Sequence, residues 1–395
     1  MRFENVCIPV SAAWSSPFVR WQGPAADISG LDLALQVTRR ALDAGGVDWP
    51  FTDFVLGYTV PQKESFFGAP TLANRLGFGH MSGPMIAQAC ATSAVCIHVA
   101  AAGQLGSPDG PCLVVTTDRT SNGPVVFYPR PAAPGGAPDT ENWMLDNFEC
   151  DPVTGDSMLT TAERVAAEAK IEKAELDALA ARRYEQYLDA LADDRAFQRE
   201  WMVPIAAGTR KQPVEIAEDW GVRPVVLEEI AKLGPVKEGG VVSYAAQTHP
   251  ADGTAGLVVT TPAHARAAGV EGPLAHLRSS GAARVEPGYM PKSPVPAAQA
   301  ALRHAGLGVS DVHVIKTHNP FAVNDVWLSR ELGVPWEDVN PYGSSLIYGH
   351  PQGPTGARAV VELMHALVRR GGGIGLFTGC AAGDTGVALV LEVDG

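Results

Sequence analysis

Apolar positions along the chain switch between two periods, one helical and one extended. Leu31, Leu33, Leu35, Val37, Ala41 and Leu42 recur at helical spacing and stop at Gly45-Gly46, which predicts a helix over 31–44. Short β-rich runs at 6–12, 54–60 and 112–117 read as strands around it. Before the last of these stands a run that opens at Pro84 and, from Cys90 on, is nearly all small or apolar, with no charge before Asp109. A helix apolar on every side is buried inside a large domain. Cys90 stands where that helix begins, and free N–H groups with the positive end of the dipole favour a thiolate there. Cys90 and Cys96 in such a run also fit plain core cysteines.

The pattern changes near Pro124. Residues 129–138 are rich in Pro, Gly and Ala, 142–154 read mostly as loop, and 160–199 form a polar helical region. This middle lobe carries Arg182, Arg183, Arg210, Lys211 and Arg223, a solvated face or a phosphate-binding patch. After Ser243-Tyr244, residues 251–259 turn into a small-residue helix or strand. A helix at 296–305, a strand at 312–317 and a helix at 355–369 follow. Two strands, 375–378 and 387–393, flank a glycine-rich turn at 379–386. The first and last thirds thus share a layered α/β grammar, a structural duplication without a strict sequence repeat. The expected units are 1–124, 125–245 and 246–395.

A chain of 395 residues exceeds what one hydrophobic core serves, in keeping with that division. A net charge of -13 argues against nucleic acid or an anionic membrane as partner, so an anionic ligand needs a local basic patch. Six cysteines without CxxC spacing imply neither a disulfide framework nor a metal site, and fit a reducing compartment. No secretory h-region opens the chain and no long greasy run spans a bilayer, so a soluble cytoplasmic protein is expected.

Three residues of the last third lie at strand ends or turns beside glycines: His318, His350 within 349–356, and Cys380 within 379–386. Glycine lets backbone approach a ligand closely and leaves N–H groups free for an oxyanion. A thiol nucleophile needs a base within hydrogen-bond reach, and Cys with His is the usual pairing. Joining two thioesters through carbon also needs an acid/base for the α-carbon, a task a second thiol can perform.

On these residues the chain resembles the thiolase superfamily over nearly its whole length. Residues 339–358, Val-Asn-Pro-Tyr-Gly-Ser-Ser-Leu-Ile-Tyr-Gly-His-Pro-Gln-Gly-Pro-Thr-Gly-Ala-Arg, are similar to the family's V-N-x-x-G-G-x-x-A-x-G-H-P-x-G-x-S-G-A-R signature. Residues 380–386 resemble its C-x-G-G-G-x-G-x-A signature, and Cys90-Ala91-Thr92-Ser93 stands where it has a nucleophile in C-[GA]-S-G. Thr161-Ala162-Glu163, Glu218-Asp219 with Arg223-Pro224, and Ala251-Asp252-Gly253 resemble further landmarks. His318-Asn319-Pro320-Phe321 occupies the N-E-A-F position with His for Asn, which leans toward the branch related to sterol carrier protein. Ser344-Ser345 for glycine and its neighbour, and Ala381-Ala382 with Asp384 for C-terminal glycines, alter the acyl pocket more than the reaction.

The resemblance implies a duplicated α/β fold of five layers, α-β-α-β-α, with an inserted, mainly helical loop domain that covers the site and binds coenzyme A. It implies acyl transfer between CoA thioesters, by thiolytic cleavage of a 3-oxoacyl-CoA or the reverse Claisen condensation. Cys90 would be the nucleophile and His350 its base, and Cys380 would move the α-carbon proton. His318 with His350 would form one oxyanion site, and the backbone N–H groups of Cys90 and Ala382 a second. Arg223 would contact the nucleotide, Thr248 and Met158 the pantetheine, and Phe321 the substrate. No permanently bound cofactor or metal is implied; acyl-CoA is the substrate, and the partners are a homodimer or homotetramer and, in some relatives, a small OB-fold/zinc-ribbon protein. Aromatic residues Phe127, Tyr128, Trp143, Tyr342 and Tyr348 would suit a bulky or aryl acyl group, or plain loop packing. A carbon–carbon lyase acting on a branched, aryl or steroid acyl-CoA, and a non-catalytic acyl-CoA-binding scaffold, are the alternatives; the two cysteines with His350 favour the thiolase.

Overall fold

The computed structural model describes residues 1–395 apart from Ser107, Arg210 and Gly395. One sheet runs, in spatial order, Cys7–Pro9, Leu274–Arg284, Thr385–Val393, Gly373–Ala381, Val314–His318. The other runs Ala13–Ser15, Ala251–Val259, Cys112–Arg119, Asp53–Gly57, Met85–Ile86, with Val19–Arg20 paired beside it on Ala251–Val259. Between the sheets lie two helices packed on each other, Thr92–Gly103 and Thr355–Arg370. The helices Gly30–Gly45 and Gly68–Leu76 cover the outer face of the second sheet, and Pro294–Ala305 that of the first. The result is the helix–sheet–helix–sheet–helix stack that the resemblance implies.

Local sequence explains these elements. Ser29 caps Gly30–Gly45 by accepting from the Asp32 N–H, and Gly46 ends it in the left-handed region at φ 62°. The Thr92–Gly103 helix has no polar side, and its Ala94, Cys96, Ile97, Ala100 and Ala101 are all buried, as its composition predicts. Small residues let it seat tightly. A Cβ on Gly57 would lie 2.7 Å from Cys96 Sγ, and one on Gly356 would lie 2.7 Å from Ser93 Oγ. Ser93 Oγ accepts from the Ala357 N–H at 2.8 Å, tying the starts of the two central helices together.

Several expectations change. The run 6–12 is not one strand: Cys7–Pro9 pairs in one sheet, a short 3-10 turn crosses over, and Ala13–Ser15 pairs in the other. Residues 251–259 form a strand buried along its whole length, which pairs with Cys112–Arg119 inside the first third's sheet. The last third therefore contributes to both sheets. Cys380 lies within the strand Gly373–Ala381, because backbone pairing continues to Ala381↔Thr385 and shrinks the expected turn to 382–384.

Between 125 and 245 stand the helices Met158–Ala169 and Lys173–Arg199, the latter broken at Ala192–Arg195, with hairpins on either side. The basic residues here do not form one patch. Arg183 is fully buried and pairs with Asp325 at 2.8 Å, so its charge is consumed inside the protein. Arg182 is spent on Glu185 and the Glu337 carbonyl, and Arg210 lies outside the described residues. Tyr348 is buried against the Arg358 guanidinium and Tyr342 stacks on Phe197 at 3.8 Å, so neither is free for an aryl group. Among the described residues no helix is long and apolar enough to cross a membrane.

A buried ion network joins the parts. Arg358, on the second central helix, binds Asp219 bidentately at 2.6 and 2.8 Å and Glu362 at 2.9 Å. Glu362 also holds Lys316, on the strand ending at His318, at 2.6 Å. Removing one partner strands a buried charge, which costs about 3–5 kcal/mol. Asp219→Ala is therefore expected to lose about that much stability in urea unfolding; a loss under about 1 kcal/mol would contradict the network's role.

Candidate active site

Cys90 sits just before the first central helix, in a turn held by Thr92, whose Oγ1 accepts from the Gln88 N–H at 2.8 Å and donates to the Ala89 carbonyl at 2.7 Å. Ala89 takes φ 43°, a left-handed conformation that alanine adopts only under constraint, and the turn presents the Cys90 side chain to the other half of the protein. Cys90 Sγ lies 3.1 Å from His350 Nε2, and backbone N–H groups of Ala382 and of Cys90 itself point at the sulfur.

His350 belongs to the loop that starts the second central helix. Its Nδ1 pairs with Thr355 Oγ1 at 2.6 Å, and its N–H donates to the His249 carbonyl at 2.9 Å. The same loop is gripped by Asp118, a buried carboxyl that accepts from the N–H groups of Gly353, Thr59 and Val60 at 2.8 Å each. Burial pushes Asp118 up to about 7 despite these donors.

His318 ends the strand Val314–His318 and stacks on His350, with ring centroids 4.1 Å apart. Its Nδ1 pairs with Ser345 Oγ at 3.2 Å, and its buried Nε2 has no partner among the described residues. Behind it, Thr317, Asn319 and Asn340 close a buried polar net on Asp325, which gives the Val-Asn-Pro motif a structural task. Cys380 is fully buried, accepts from Asn324 Nδ2 at 3.2 Å and lies close enough to feel charge on Cys90. Four side chains spread over nearly three hundred positions thus converge.

Electrostatics departs from expectation. The helix start and two N–H groups do favour a Cys90 thiolate, but loss of water outweighs them and pushes the thiol up to about 12. Burial also drives Cys380 up, His350 well down, and His318 down to about 3. At neutral pH the resting site is therefore a thiol beside neutral imidazoles rather than a thiolate–imidazolium pair.

The four expected substrate contacts fall in two places. Arg223 and Thr248 line one cleft of about 440 Å³, with Arg20, Tyr244, His249 and Leu346. Arg20 and Arg223 are near enough to repel, and among the described residues neither pairs with a carboxylate. Met158 and Phe321 lie instead in the apolar cluster around Cys380, which shares Leu346 with the cleft. Arg20, His249, Asn324, Ser345 and Asp118 escape sequence reasoning. Arg20 and Asp118 carry no local signal; Asn324, six residues after His318, shares the short path from strand end to helix and could have been found there.

The models described as "Thiolase, N-terminal domain" and "Thiolase, C-terminal domain" match residues 8–263 and 271–393. The chain belongs to the thiolase family and is an acyltransferase working on CoA thioesters, cleaving 3-oxoacyl-CoA by thiolysis or joining acyl groups in the reverse Claisen condensation. It is 31% identical over 396 residues to the 3-oxoadipyl-CoA/3-oxo-5,6-dehydrosuberyl-CoA thiolase of Escherichia coli K12, covering 95% of this chain and 97% of that one. An acetyl-CoA acetyltransferase of Pseudomonas aeruginosa is 29% identical, over 98% of this chain and 99% of its own. The crystal structure of the Bacillus anthracis acetyl-CoA acetyltransferase superposes with a TM-score of 0.90 at 28% identity, covering 99% of each chain.

Since burial favours the uncharged thiol, alkylation of Cys90 by iodoacetamide is expected to rise about tenfold per pH unit from pH 7 to 10. Mass spectrometry of the peptide containing Cys90 measures this. A plateau below pH 8 would show a preformed thiolate.

Proposed function

We propose that Cys90 carries the acyl group, His350 takes its proton, and Cys380 moves the proton of the α-carbon. The 3.1 Å approach of Cys90 Sγ to His350 Nε2 carries this reading. In cleavage, the sulfur attacks the 3-oxo carbon as His350 accepts its proton, and the C–C bond breaks. The enolate then takes a proton from Cys380, whose burial holds it protonated until then. The shortened acyl-CoA leaves, the CoA thiol gives its proton to the Cys380 thiolate as its sulfur attacks the acyl-enzyme, and His350 returns its proton to the Cys90 sulfur as that departs. Because the resting pair is neutral, charge separates only as the attack proceeds, and the site must stabilise it there.

The Ala382 and Cys90 N–H groups, which face the sulfur, hold the oxyanion at the Cys90-bound carbon in this reading, a contribution of about 3 kcal/mol per donor. His318 Nε2, buried and without a partner among the described residues, forms with His350 the second donor pair for the CoA thioester oxygen. The Arg20–Arg223 pair at the cleft receives the nucleotide phosphates, Thr248 lies along the pantetheine path, and Met158 and Phe321 bound the acyl end around Cys380.

We further propose a cytoplasmic homo-oligomer. Met85–Ile86 is an edge strand with Met85 exposed, and Phe66, Phe67 and Phe127 are exposed large apolar residues, a combination that suits pairing with a second copy.

Cys380→Ala separates the half-reactions. It is expected to keep acetylation of Cys90 by acetyl-CoA, seen by intact mass, while condensation falls about 10²–10⁴-fold. Loss of acetylation in Cys380→Ala, or an acetylated Cys90→Ser variant with normal turnover, would overturn these roles.

A further inference from the structure

The side chains assigned to the reaction also form a compact set of nitrogen and sulfur donors. A ring nitrogen of each and the Cys90 sulfur lie within 4.8 Å of one another. Donors around a tetrahedral Zn2+ stand roughly 3.3–3.8 Å apart, so shifts of about 1 Å close the cluster on one ion once the stacked rings, 29° apart, turn until their in-plane lone pairs converge. Each ring is also presented as a metal-binding histidine is. Nδ1 of His350 is held by Thr355 Oγ1 and Nδ1 of His318 by Ser345 Oγ, which leaves Nε2 of each ring outside those bonds, that of His350 at 3.1 Å from the Cys90 sulfur. His318 Nε2 is buried with no partner among the described residues, and a buried nitrogen left unpaired costs free energy that a ligand would recover.

We propose that the resting site binds one soft divalent cation, of the Zn2+ class, through Cys90, His318 and His350, and that this holds the enzyme inactive. Two nitrogens and one sulfur select Zn2+ over Mg2+ or Ca2+, which prefer oxygen ligands. The thiol loses its proton to solvent as the sulfur–metal bond forms, and a fourth position is left for water. A metal-bound sulfur is no longer the free nucleophile, so occupancy and turnover exclude each other. Once Cys90 is acylated it offers no thiolate, and the acyl-enzyme gives up the metal. The inference shares its residues with the proposed reaction but rests on their geometry alone.

Titration of the whole enzyme with Co2+, in the absence of substrate, tests it apart from activity. One Co2+ per chain is expected, with a thiolate-to-cobalt absorption band in the near ultraviolet that Zn2+ abolishes by displacement. Cys90→Ala and Cys90→Ser should lose the band, and His318→Asn should weaken binding at least tenfold. Ser345→Ala, which spares every ligand, should weaken it about 10–100-fold, the usual effect of removing a ligand's supporting hydrogen bond. Circular dichroism melts establish that each variant is folded. Zn2+ should stop acyl transfer by the wild type, EDTA should restore it, and acetylated enzyme should not bind Co2+. No band in the wild type, or unchanged affinity in a folded Cys90→Ala variant, would overturn the site while leaving the acyl-trapping result on Cys90 untouched.

Discussion

Everything in this molecule depends on how closely two helices meet in its central layer. Ser93 on one and Gly356 on the other meet where any larger side chain would push the helix starts apart, and the Ser93 hydroxyl bonds the Ala357 N–H at 2.8 Å. Each helix begins close to one member of the proposed reacting pair. Their contact therefore sets the distance between Cys90 and His350, and proximity of this kind supplies much of the barrier reduction in a two-step transfer. The duplicated sheets serve mainly to wedge these two starts together.

The same close packing sets the charge state. His318, His350 and Cys380 are buried and Cys90 is half-buried, so neutral thiols and imidazoles are favoured over the ionised forms that a helix start would favour. Charge is instead held farther back, in the Arg358–Asp219–Glu362–Lys316 network, where each ion has partners. The protein thus separates a charged scaffold, which fixes the strand and helix bearing His318 and His350, from an uncharged site. Charge then appears at the site only as chemistry proceeds.

Local features of the chain were readable. The buried helix after Cys90, the strand leading to His318 and the helix after His350 follow from composition and period, and the glycines beside His350 and Cys380 mark the site. What could not be read is non-local. Nothing within 251–259 says which sheet will take it, because a strand buried on both faces reads the same in either. Arg183 looked available for phosphate because its partner Asp325 is 142 positions away. Arg20 joins Arg223 at the cleft only after the chain crosses between the sheets, and burial, which fixes the charge of Cys90, is a property of the folded molecule alone.

The most direct measurement is the single-turnover rate of Cys90 acetylation by acetyl-CoA in Gly356→Ala. The added methyl would lie 2.7 Å from Ser93 Oγ and 3.1 Å from Phe377 Cζ, so it displaces the hydroxyl that bonds the Ala357 N–H and loosens the contact between the helix starts. If their contact sets the reacting distance, the folded variant acetylates Cys90 at least about tenfold more slowly, since a displacement near 1 Å costs up to about 10²-fold. An unchanged rate in a folded Gly356→Ala protein would contradict the account.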